Sequence, residues 1–437
     1  MHNPISRRGF LIGLVTALGA AGLSWGRRLL GQAEARPAAT FGVDLPFVTK
    51  GAPGNLTTST PTLTETPPAA TWTPASGSKP KVIHVHSLDA TFWDFGNNYY
   101  GNYVNQNVVN AMVDRGVQEL TGTSSVAQAW RTLVPNYAPG KAIAIKVNFN
   151  NNLWCDSCQT NCEDWTLKSD ALIHPINSVI RGLVQAYSNF NASDIWVYDA
   201  TQGNDPASSG RKIPLRFRQA CQYPGVRFFD IQKPWNNCNE IATYSSSDLR
   251  GVVVWRNPPN VPTPPAMRLT DVLVNAAYVI NMPIMRAHIY GITLGFKNHF
   301  GSLAYVEPLH DWITAWGPNY GGAAYNPLVD IYRNSNILDK TVLTIGDGLF
   351  GNPVNNISKP VPWATFGSKA PNSLFFAADP VAIDCVMGDL LASERSVQSS
   401  CFDYLRVASN AGLGVFERGN PWTSAGYTHV DYRRIEL

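Results

Sequence analysis

The sequence has little charge for its size. Only 15% of its 437 residues are charged, with 34 Lys and Arg against 31 Asp and Glu. This balance excludes an acidic disordered chain and a dense basic nucleic-acid binder. The chain also lacks internal repeats, runs of like charge and, after residue 25, any apolar stretch near the roughly 20 residues that a membrane span needs. We therefore expect a folded body that binds no nucleic acid and has no stable span of its own.

The whole formal charge of +3 lies in residues 1–35, because the later charges cancel. Arg7 and Arg8 precede a short apolar run, and a small-x-small triplet at 33–35 follows it. These are the parts of an export signal, and the paired arginines indicate the twin-arginine route. We expect a signal peptide that the twin-arginine translocase recognises and that is then cleaved, which leaves a periplasmic or extracellular protein. An uncleaved signal, which would tether the protein to the membrane, is the alternative.

Residues 36–80 are rich in Pro, Thr, Ala and Ser, a composition typical of a stiff, solvated tether. From residue 81 to 437, short β-branched runs alternate with amphipathic helical stretches. This alternation favours an α/β fold with a mixed, largely parallel sheet flanked by helices, as one large domain or as two lobes. The predicted strands are 82–86, 142–147, 195–198, 226–229, 252–255, 278–280 and 341–345, and the clearest predicted helices are 105–119, 176–187 and 215–221.

Functional groups in such sheets collect just beyond the carboxyl ends of strands. Lys146 interrupts an apolar strand, so it must be paired or face a cleft, unless it lies on the exposed face of an edge strand. Asn148 follows it, and Asp199 ends the next predicted strand. A carboxylate at that position is suited to ligate a metal, to orient a histidine or to cap a turn.

The densest polar cluster lies between residues 286 and 299. The cluster contains His288 and, nine residues later, the run Lys297, Asn298 and His299. The glycines between them allow a close approach of backbone to a ligand. Imidazoles are common metal ligands and acid–base groups, and a lysine can hold an anionic substrate or act as a nucleophile. A surface loop of incidental polar residues is the alternative. Asp347, among glycines at the predicted end of a strand, is a further catalytic candidate.

Two further features carry alternatives. Asp379 precedes Pro380, which predicts the N-cap of a helix.

Three cysteines directly after the Lys146 strand could wrap a metal ion or an iron–sulphur cluster, with His174 before Pro175 as a fourth ligand. The other interpretation is a set of disulfides, common in exported proteins, with Cys221 and Cys238 as partners. The cysteines of the cluster are Cys155, Cys158 and Cys162.

These motifs, in this order, resemble the domain of unknown function 362 (DUF362) family. The matching segments are 145–148, 173–175, 279–283 with His288, 297–301, 346–348 and 379–384. Members of the family are sometimes fused to ferredoxin-type iron–sulphur modules, and the family has no settled activity. This chain departs from it because the usual run of four closely spaced cysteines is absent. A weaker resemblance links Asp199, Thr201, His288 and Lys297 to the lactate racemase family.

The resulting hypothesis is an exported enzyme, associated with a metal ion or an iron–sulphur cluster, that acts on a small polar or anionic substrate. The pattern does not separate redox from isomerase chemistry. A non-catalytic solute-binding or surface-interaction module is the alternative, because the aromatic-rich stretches 92–95 and 98–100 fit a ligand contact as well as a core. In the enzyme hypothesis the catalytic residues are His288, Lys297, His299 and Asp347, the cofactor-binding residues are Lys146, Asn148, Asp199 and Asn298, and the metal ligands are Cys155, Cys158, Cys162 and His174.

Overall fold

The computed structural model describes residues 78–149, 168–200, 213–231, 239–288, 291–354 and 358–437. The predicted signal peptide and nearly all of the predicted tether lie outside these residues. So do Cys155, Cys158 and Cys162. No helix among the described residues has the length and apolar character that crossing a membrane requires.

Eleven strands in the described part of the chain form one sheet. They are β1 (Lys81–His86), β2 (Ile143–Lys146), β3 (Ile195–Asp199), β4 (Arg227–Asp230), β5 (Glu240–Ile241), β6 (Tyr278–Asn281), β7 (Ile284–His288), β8 (Gly291–Thr293), β9 (Thr341–Asn352), β10 (Ser373–Ala377) and β11 (Asp431–Glu436). The main order is β11-β1-β10-β9-β6-β2-β3-β4-β5, with β7 paired to β8 and β9. Seven strand pairings are parallel and three are antiparallel, so the predicted α/β class with a mixed, largely parallel sheet is confirmed.

Helices cover both faces of the sheet. Those in the described residues are α1 (Gln106–Thr121), α2 (Val126–Leu133), α3 (Ile173–Ala186), α4 (Leu215–Gln219), α5 (Asp271–Asn275), α6 (Gly295–Asn298), α7 (His310–Ile313), α8 (Pro327–Tyr332), α9 (Ser335–Leu338), α10 (Pro380–Glu394) and α11 (Asp403–Asn410). Successive strand residues point to opposite faces. Ile143 and Ile145 therefore pack with α1, α2 and α3, whereas Ala144 joins the other core, which contains α6, α8 and α10.

The long strand β9 connects two parts of the sheet. Its first residues pair with β6, and its later residues, Asp347 and Asn352, pair with β7. Between β6 and β7 the chain passes Met282 and Pro283, and the Pro283 carbonyl accepts a 2.7 Å hydrogen bond from the Asp347 amide. Consequently β6 and β7 follow one another along the same edge of β9. The hairpin β7–β8, which carries His288, is thereby fixed to the centre of the sheet.

Local sequence signals account for the ends of several elements. Asp379 caps α10, because its Oδ1 accepts hydrogen bonds from the amides of Val381 (2.9 Å) and Ala382 (2.8 Å). Pro380 occupies the first helical position, where a missing N–H costs nothing. The predicted cap is therefore confirmed. Helix α3 begins at Ile173, earlier than predicted, so His174 lies inside its first turn.

Two sequence predictions about strands are wrong. Residues 252–255 form no strand, because Val252 makes only an isolated bridge with Arg268 and no neighbouring strand lies there to pair with. Asp347 does not end a strand either. It lies in the middle of β9, since β10 and β7 supply partners that let this strand continue to Asn352. Strand propensity thus placed these segments in the correct general conformation but did not identify their partners.

Gly116 of α1 provides a test of how the helix packs on the sheet. A methyl group at this position would overlap the ring of Phe376 in β10. Helix propensity alone predicts that Gly116→Ala stabilises the protein by about 1 kcal/mol. We expect instead a net loss of about 1–3 kcal/mol in the free energy of unfolding, because the overlap forces the layers apart. Urea denaturation measures this loss. The control is Arg115→Ala, on the exposed side of α1, whose free energy of unfolding should stay within about 0.5 kcal/mol of the wild-type value. A stabilised Gly116→Ala variant would contradict this packing.

Candidate functional site

Polar residues end three adjacent parallel strands. Lys146 ends β2, Asp199 ends β3 and Asn281 ends β6. Lys146 is in register with Tyr198 and with Asn281, so these three side chains lie on the face of the sheet that α6 covers. Polar residues therefore lie at the carboxyl ends of these strands, the position at which functional groups collect in such sheets.

Lys146 and Asp199 form a buried ion pair. The distance from Lys146 Nζ to Asp199 Oδ1 is 3.5 Å, and the two side chains are 0% and 1% exposed. Asp199 Oδ2 accepts a 2.7 Å hydrogen bond from the Phe149 amide, and Lys146 Nζ donates to the Val147 carbonyl. Lys146 is thus paired on a central strand. The alternative that it lies on an exposed edge strand is wrong.

Asn298 connects this pair to helix α6. Its Oδ1 accepts a 3.3 Å hydrogen bond from Lys146 Nζ, and its Nδ2 donates to Asn281 Oδ1 (2.7 Å) and to the Lys146 carbonyl (3.1 Å). Asn281 Nδ2 in turn donates to the Gly295 carbonyl at 2.9 Å. All of these groups are buried. Because a buried amide must satisfy both its donor and its acceptor, this network fixes where α6 begins and which way it points.

Gly301 lies directly against the ion pair. A methyl group there would overlap both the Asp199 carboxylate and the Lys146 ammonium. The Gly301 carbonyl also accepts a 2.7 Å hydrogen bond from the Ala200 amide. Only a residue without a side chain lets the backbone approach this closely, which gives the glycine of the 297–301 motif a physical reason.

His299 is completely buried beside the pair. Its Nδ1 lies 3.2 Å from Ser302 Oγ, which lies 2.9 Å from the Tyr198 hydroxyl. Burial, reinforced by the charge of Lys146, lowers the pKa of His299 to about 3. Among the described residues, its Nε2 has no hydrogen-bond partner. Burial and the neighbouring ammonium therefore favour a neutral imidazole for His299 near neutral pH.

His288 and Lys297 form a second pair, nearer to the surface. His288 Nε2 lies 3.2 Å from Lys297 Nζ. The Lys297 side chain is 8% exposed and packs over the Phe300 ring at 4.9 Å, and the His288 ring stacks on His310 at a centroid distance of 6.0 Å. An ammonium can only donate, so this contact requires a neutral imidazole with its proton on Nδ1. The pair thus joins a proton donor and a proton acceptor.

A cavity of about 530 Å³ opens beside His288. The hairpin β7–β8, the turn that follows α7 and the segment that follows α10 form its walls. Lining residues include His288, Trp316, Val354, Arg395 and Cys401. A second cavity of about 650 Å³, at the amino end of β1, is lined by Lys81 and Asp379 but by none of the predicted site residues.

Asp384, in the neighbouring helix α10, supports helix α6. Its carboxylate accepts hydrogen bonds from the amides of Gly295 (2.8 Å) and Phe296 (3.2 Å) and from the Tyr404 hydroxyl (3.0 Å). Burial raises the pKa of Asp384 to about 7, although the three donors oppose this shift. Helix α10 therefore holds the first turn of α6, and with it the segment that carries Lys297.

Asn148 and Asp347 belong to a separate polar group. Asn148 Oδ1 accepts a hydrogen bond from Arg286, which is 1% exposed and also donates to the Ser169 carbonyl at 2.7 Å. Ser169 and Asp347 line one narrow cleft. Burial raises the pKa of Asp347 to about 6. No described hydrogen bond joins these two predicted residues to Lys146 or to His288.

The predicted metal ligands are only partly described. His174 is mostly buried, and burial lowers its pKa to about 4. Its Nδ1 has no hydrogen-bond partner within the described ranges. Among those same residues, no group of three or more His, Cys, Asp or Glu side chains is arranged to hold a metal ion. Cys221 is a free thiol in the structure, and its predicted partner Cys238 lies outside the described residues.

Sequence reasoning assigned no role to several residues that complete the site. Asn281 could have been found, because it ends a predicted strand in the same way as Lys146. Arg286 stood in the dense segment, and a buried arginine in a strand implies polar partners. Ser302 and Arg395 gave no signal, because their importance depends on contacts across the fold.

Comparisons with known proteins place these residues in a family context. The sequence profile described as Domain of unknown function (DUF362) matches residues 168–389, which is just over half of the chain. The match includes Asp199, the segment 281–302, Asp347 and Asp384, whereas Lys146 precedes it. No curated protein and no solved structure matches the chain.

The buried ion pair can be tested by a double-mutant cycle. Lys146→Met leaves a buried carboxylate and Asp199→Asn leaves a buried ammonium, so each is expected to lower the free energy of unfolding by about 3–5 kcal/mol. The double variant should lose clearly less than the sum of the two. The control is the same cycle on Arg115 and Glu119, an exposed pair 2.7 Å apart on α1, for which about 0.3–0.5 kcal/mol of coupling is expected. Additive losses at Lys146 and Asp199 in urea denaturation would contradict the pairing.

The depressed pKa of His299 predicts a pH dependence of stability. The unfolded chain binds a proton on this residue near its ordinary pKa of 6.5, whereas the folded protein does so only near pH 3. The native state therefore loses stability as the pH falls from about 6.5 towards 4. We expect the free energy of unfolding of the wild type to fall over this range relative to that of His299→Gln. Above pH 7 the two curves of unfolding free energy against pH should run parallel. Parallel curves throughout would show that His299 is accessible to protons when folded.

Proposed function

The chain belongs to the family described as Domain of unknown function (DUF362), and we propose that it is an enzyme that binds a small anionic substrate beside His288 and transfers a proton with the His288–Lys297 pair. The observation that carries this proposal is the 3.2 Å contact between His288 Nε2 and Lys297 Nζ at the wall of a cavity of about 530 Å³. General acid–base catalysis needs such a pair within hydrogen-bond reach of a substrate.

The two members of the pair have different roles in this proposal. His288 lines the cavity and presents a neutral imidazole to the substrate, whereas Lys297 lies behind it, 8% exposed. The ammonium supplies positive charge close to a bound anion and stabilises negative charge that develops on it. When the substrate binds, the Lys297 ammonium turns from His288 Nε2 to the substrate anion, and the freed Nε2 accepts the substrate proton and later returns it. Removal of a proton from carbon next to a carboxylate is the simplest reaction that this arrangement supports.

The buried residues support the pair without touching the substrate. Lys146 and Asn298 are 0% exposed, so they act by fixing the segment 295–302. Asp384 holds the beginning of the same segment. Placing the reactive groups on a segment anchored at both ends limits the reorganisation that the reaction would require.

The proposal has two further parts, export and metal binding, which are supported by sequence patterns. We propose that residues 1–35 direct export by the twin-arginine route and that Cys155, Cys158 and Cys162 ligate a metal ion or an iron–sulphur cluster, with His174 as a further ligand. His174 fits such a role, because its ring is neutral and its Nδ1 has no hydrogen-bond partner in the described part of the chain. Metal content and absorption spectra of the wild type and of Cys155→Ser test the cluster. Thiol counting before and after reduction distinguishes it from disulfides.

A non-catalytic binding module is less well supported. The aromatic stretches that suggested it are mainly core: Trp93 is 6% exposed and Tyr100 is 1% exposed, and both pack against Phe350. Only Phe92, at 66% exposure, remains as a contact surface in that region.

Exchange of substrate hydrogen for deuterium tests the enzyme proposal. A panel of 2-hydroxy carboxylates, which carry a hydrogen on the carbon next to the carboxylate, is incubated with the protein in D₂O, and loss of that proton signal is followed by NMR. We expect exchange with the wild type and a decrease of about 100-fold or more in His288→Ala and Lys297→Ala. Arg115→Ala, remote on α1, serves as the control and should retain full exchange. Anion binding that persists in both variants, without exchange in any protein, would favour the binding module.

A further inference from the structure

The cavity beside His288 has a wall that the proton-transfer pair does not use. Its volume of about 530 Å³ lies in the range of small-molecule sites. It is lined by the apolar residues Ile313, Trp316, Val354 and Val397, together with Arg395. The composition of this wall restricts which anions fit.

Trp316 presents a large aromatic surface from an ordered turn. Its side chain is 65% exposed. The turn that carries it is closed by hydrogen bonds from the Gly317 amide to the Thr314 carbonyl (2.8 Å) and from Thr314 Oγ1 to the His310 carbonyl (2.8 Å). A methyl group at Gly317 would overlap the Asp311 carbonyl, so the backbone there is closely packed. An ordered turn that exposes an indole ring at a cavity wall is typical of a site that stacks on a flat ligand.

Arg395 supplies the charge on the same wall. Its guanidinium donates one hydrogen bond, from Nη1 to the Val354 carbonyl at 2.9 Å, which holds the side chain at the cavity. Within the described residues it has no carboxylate partner. Nε and Nη2 are therefore available to an anion, and guanidinium binds carboxylates with two parallel hydrogen bonds.

We propose that the substrate of this site is a small aryl carboxylate, or a similar anion with a planar apolar ring. The inference depends on the function proposed above, and it adds the substrate class. The ring stacks on Trp316 beside Val354 and Val397, and the anionic group binds Arg395. The part of the substrate between them then faces His288, where the proton is transferred. Anions without a ring make no stacking contact with the indole.

Benzoate, cyclohexanecarboxylate and acetate probe this assignment by isothermal titration calorimetry on the full-length protein. We expect benzoate to bind at least about tenfold more tightly than acetate, with cyclohexanecarboxylate between them because its ring is not planar. Trp316→Ala should remove the preference for benzoate and leave acetate binding unchanged. Arg395→Gln should weaken the binding of all three by about tenfold or more.

Matched variants control for indirect effects. Trp422→Ala removes another partly exposed indole, 37% exposed, that does not line the cavity, and Arg115→Gln removes an exposed arginine on α1. Neither should change the binding of benzoate. An unchanged urea denaturation midpoint for Trp316→Ala shows that the variant is folded.

The outcomes separate this inference from the proposed function. The substrate class is overturned if benzoate binds no more tightly than acetate, or if the preference for benzoate survives Trp316→Ala. The enzyme proposal still stands in that case if deuterium exchange depends on His288. A preference for benzoate that requires Trp316 supports the substrate class even if no protein catalyses exchange, in which case proton transfer is the part that fails.

Discussion

The ion pair between Lys146 and Asp199 is the constraint on which the site depends. Both charges are buried at the carboxyl ends of neighbouring strands, where neither could remain charged without the other. Their separation of 3.5 Å is maintained because Gly301 leaves room for both and Asn298 accepts from the ammonium. A charged pair at this depth specifies one arrangement of β2, β3 and the segment 295–302, since any other arrangement would leave a charge without its partner.

The short segment from Gly295 to Ser302 divides its side chains between two tasks. Asn298 points into the protein and binds the sheet, and His299 is buried against Ser302, whereas Lys297 contacts His288 at the cavity wall. Consecutive side chains of a helical turn point in different directions, so these three residues can contact both the interior and the cavity wall. This explains how a strongly polar sequence can be nearly completely buried. Its polarity is used for attachment on one side and for chemistry on the other.

Much of this arrangement could be predicted from particular residues. The alternation of strands and helices predicted the fold class, and Lys146, Asp199 and Asn298 were identified because polar residues interrupted apolar strands or followed glycines. The separation of Asp347 and Asn148 from that cluster was not predictable, because it depends on β7 and β10 pairing with β9. The contacts of Asp384 with α6 were not predictable either, because they join two helices that are far apart in sequence. Local patterns identify candidates, and only the topology shows which of them meet.

The strand β9 also determines which changes of length the protein tolerates. It aligns β6, next to the ion pair, with β7, which carries His288, along one edge. Each residue of a strand advances about 3.3 Å and reverses the face of the sheet to which it points. An inserted or deleted residue within β9 would therefore shift the hairpin relative to the ion pair and turn its side chains to the opposite face. We therefore expect this chain to tolerate changes of length in the connections between strands and not within β9.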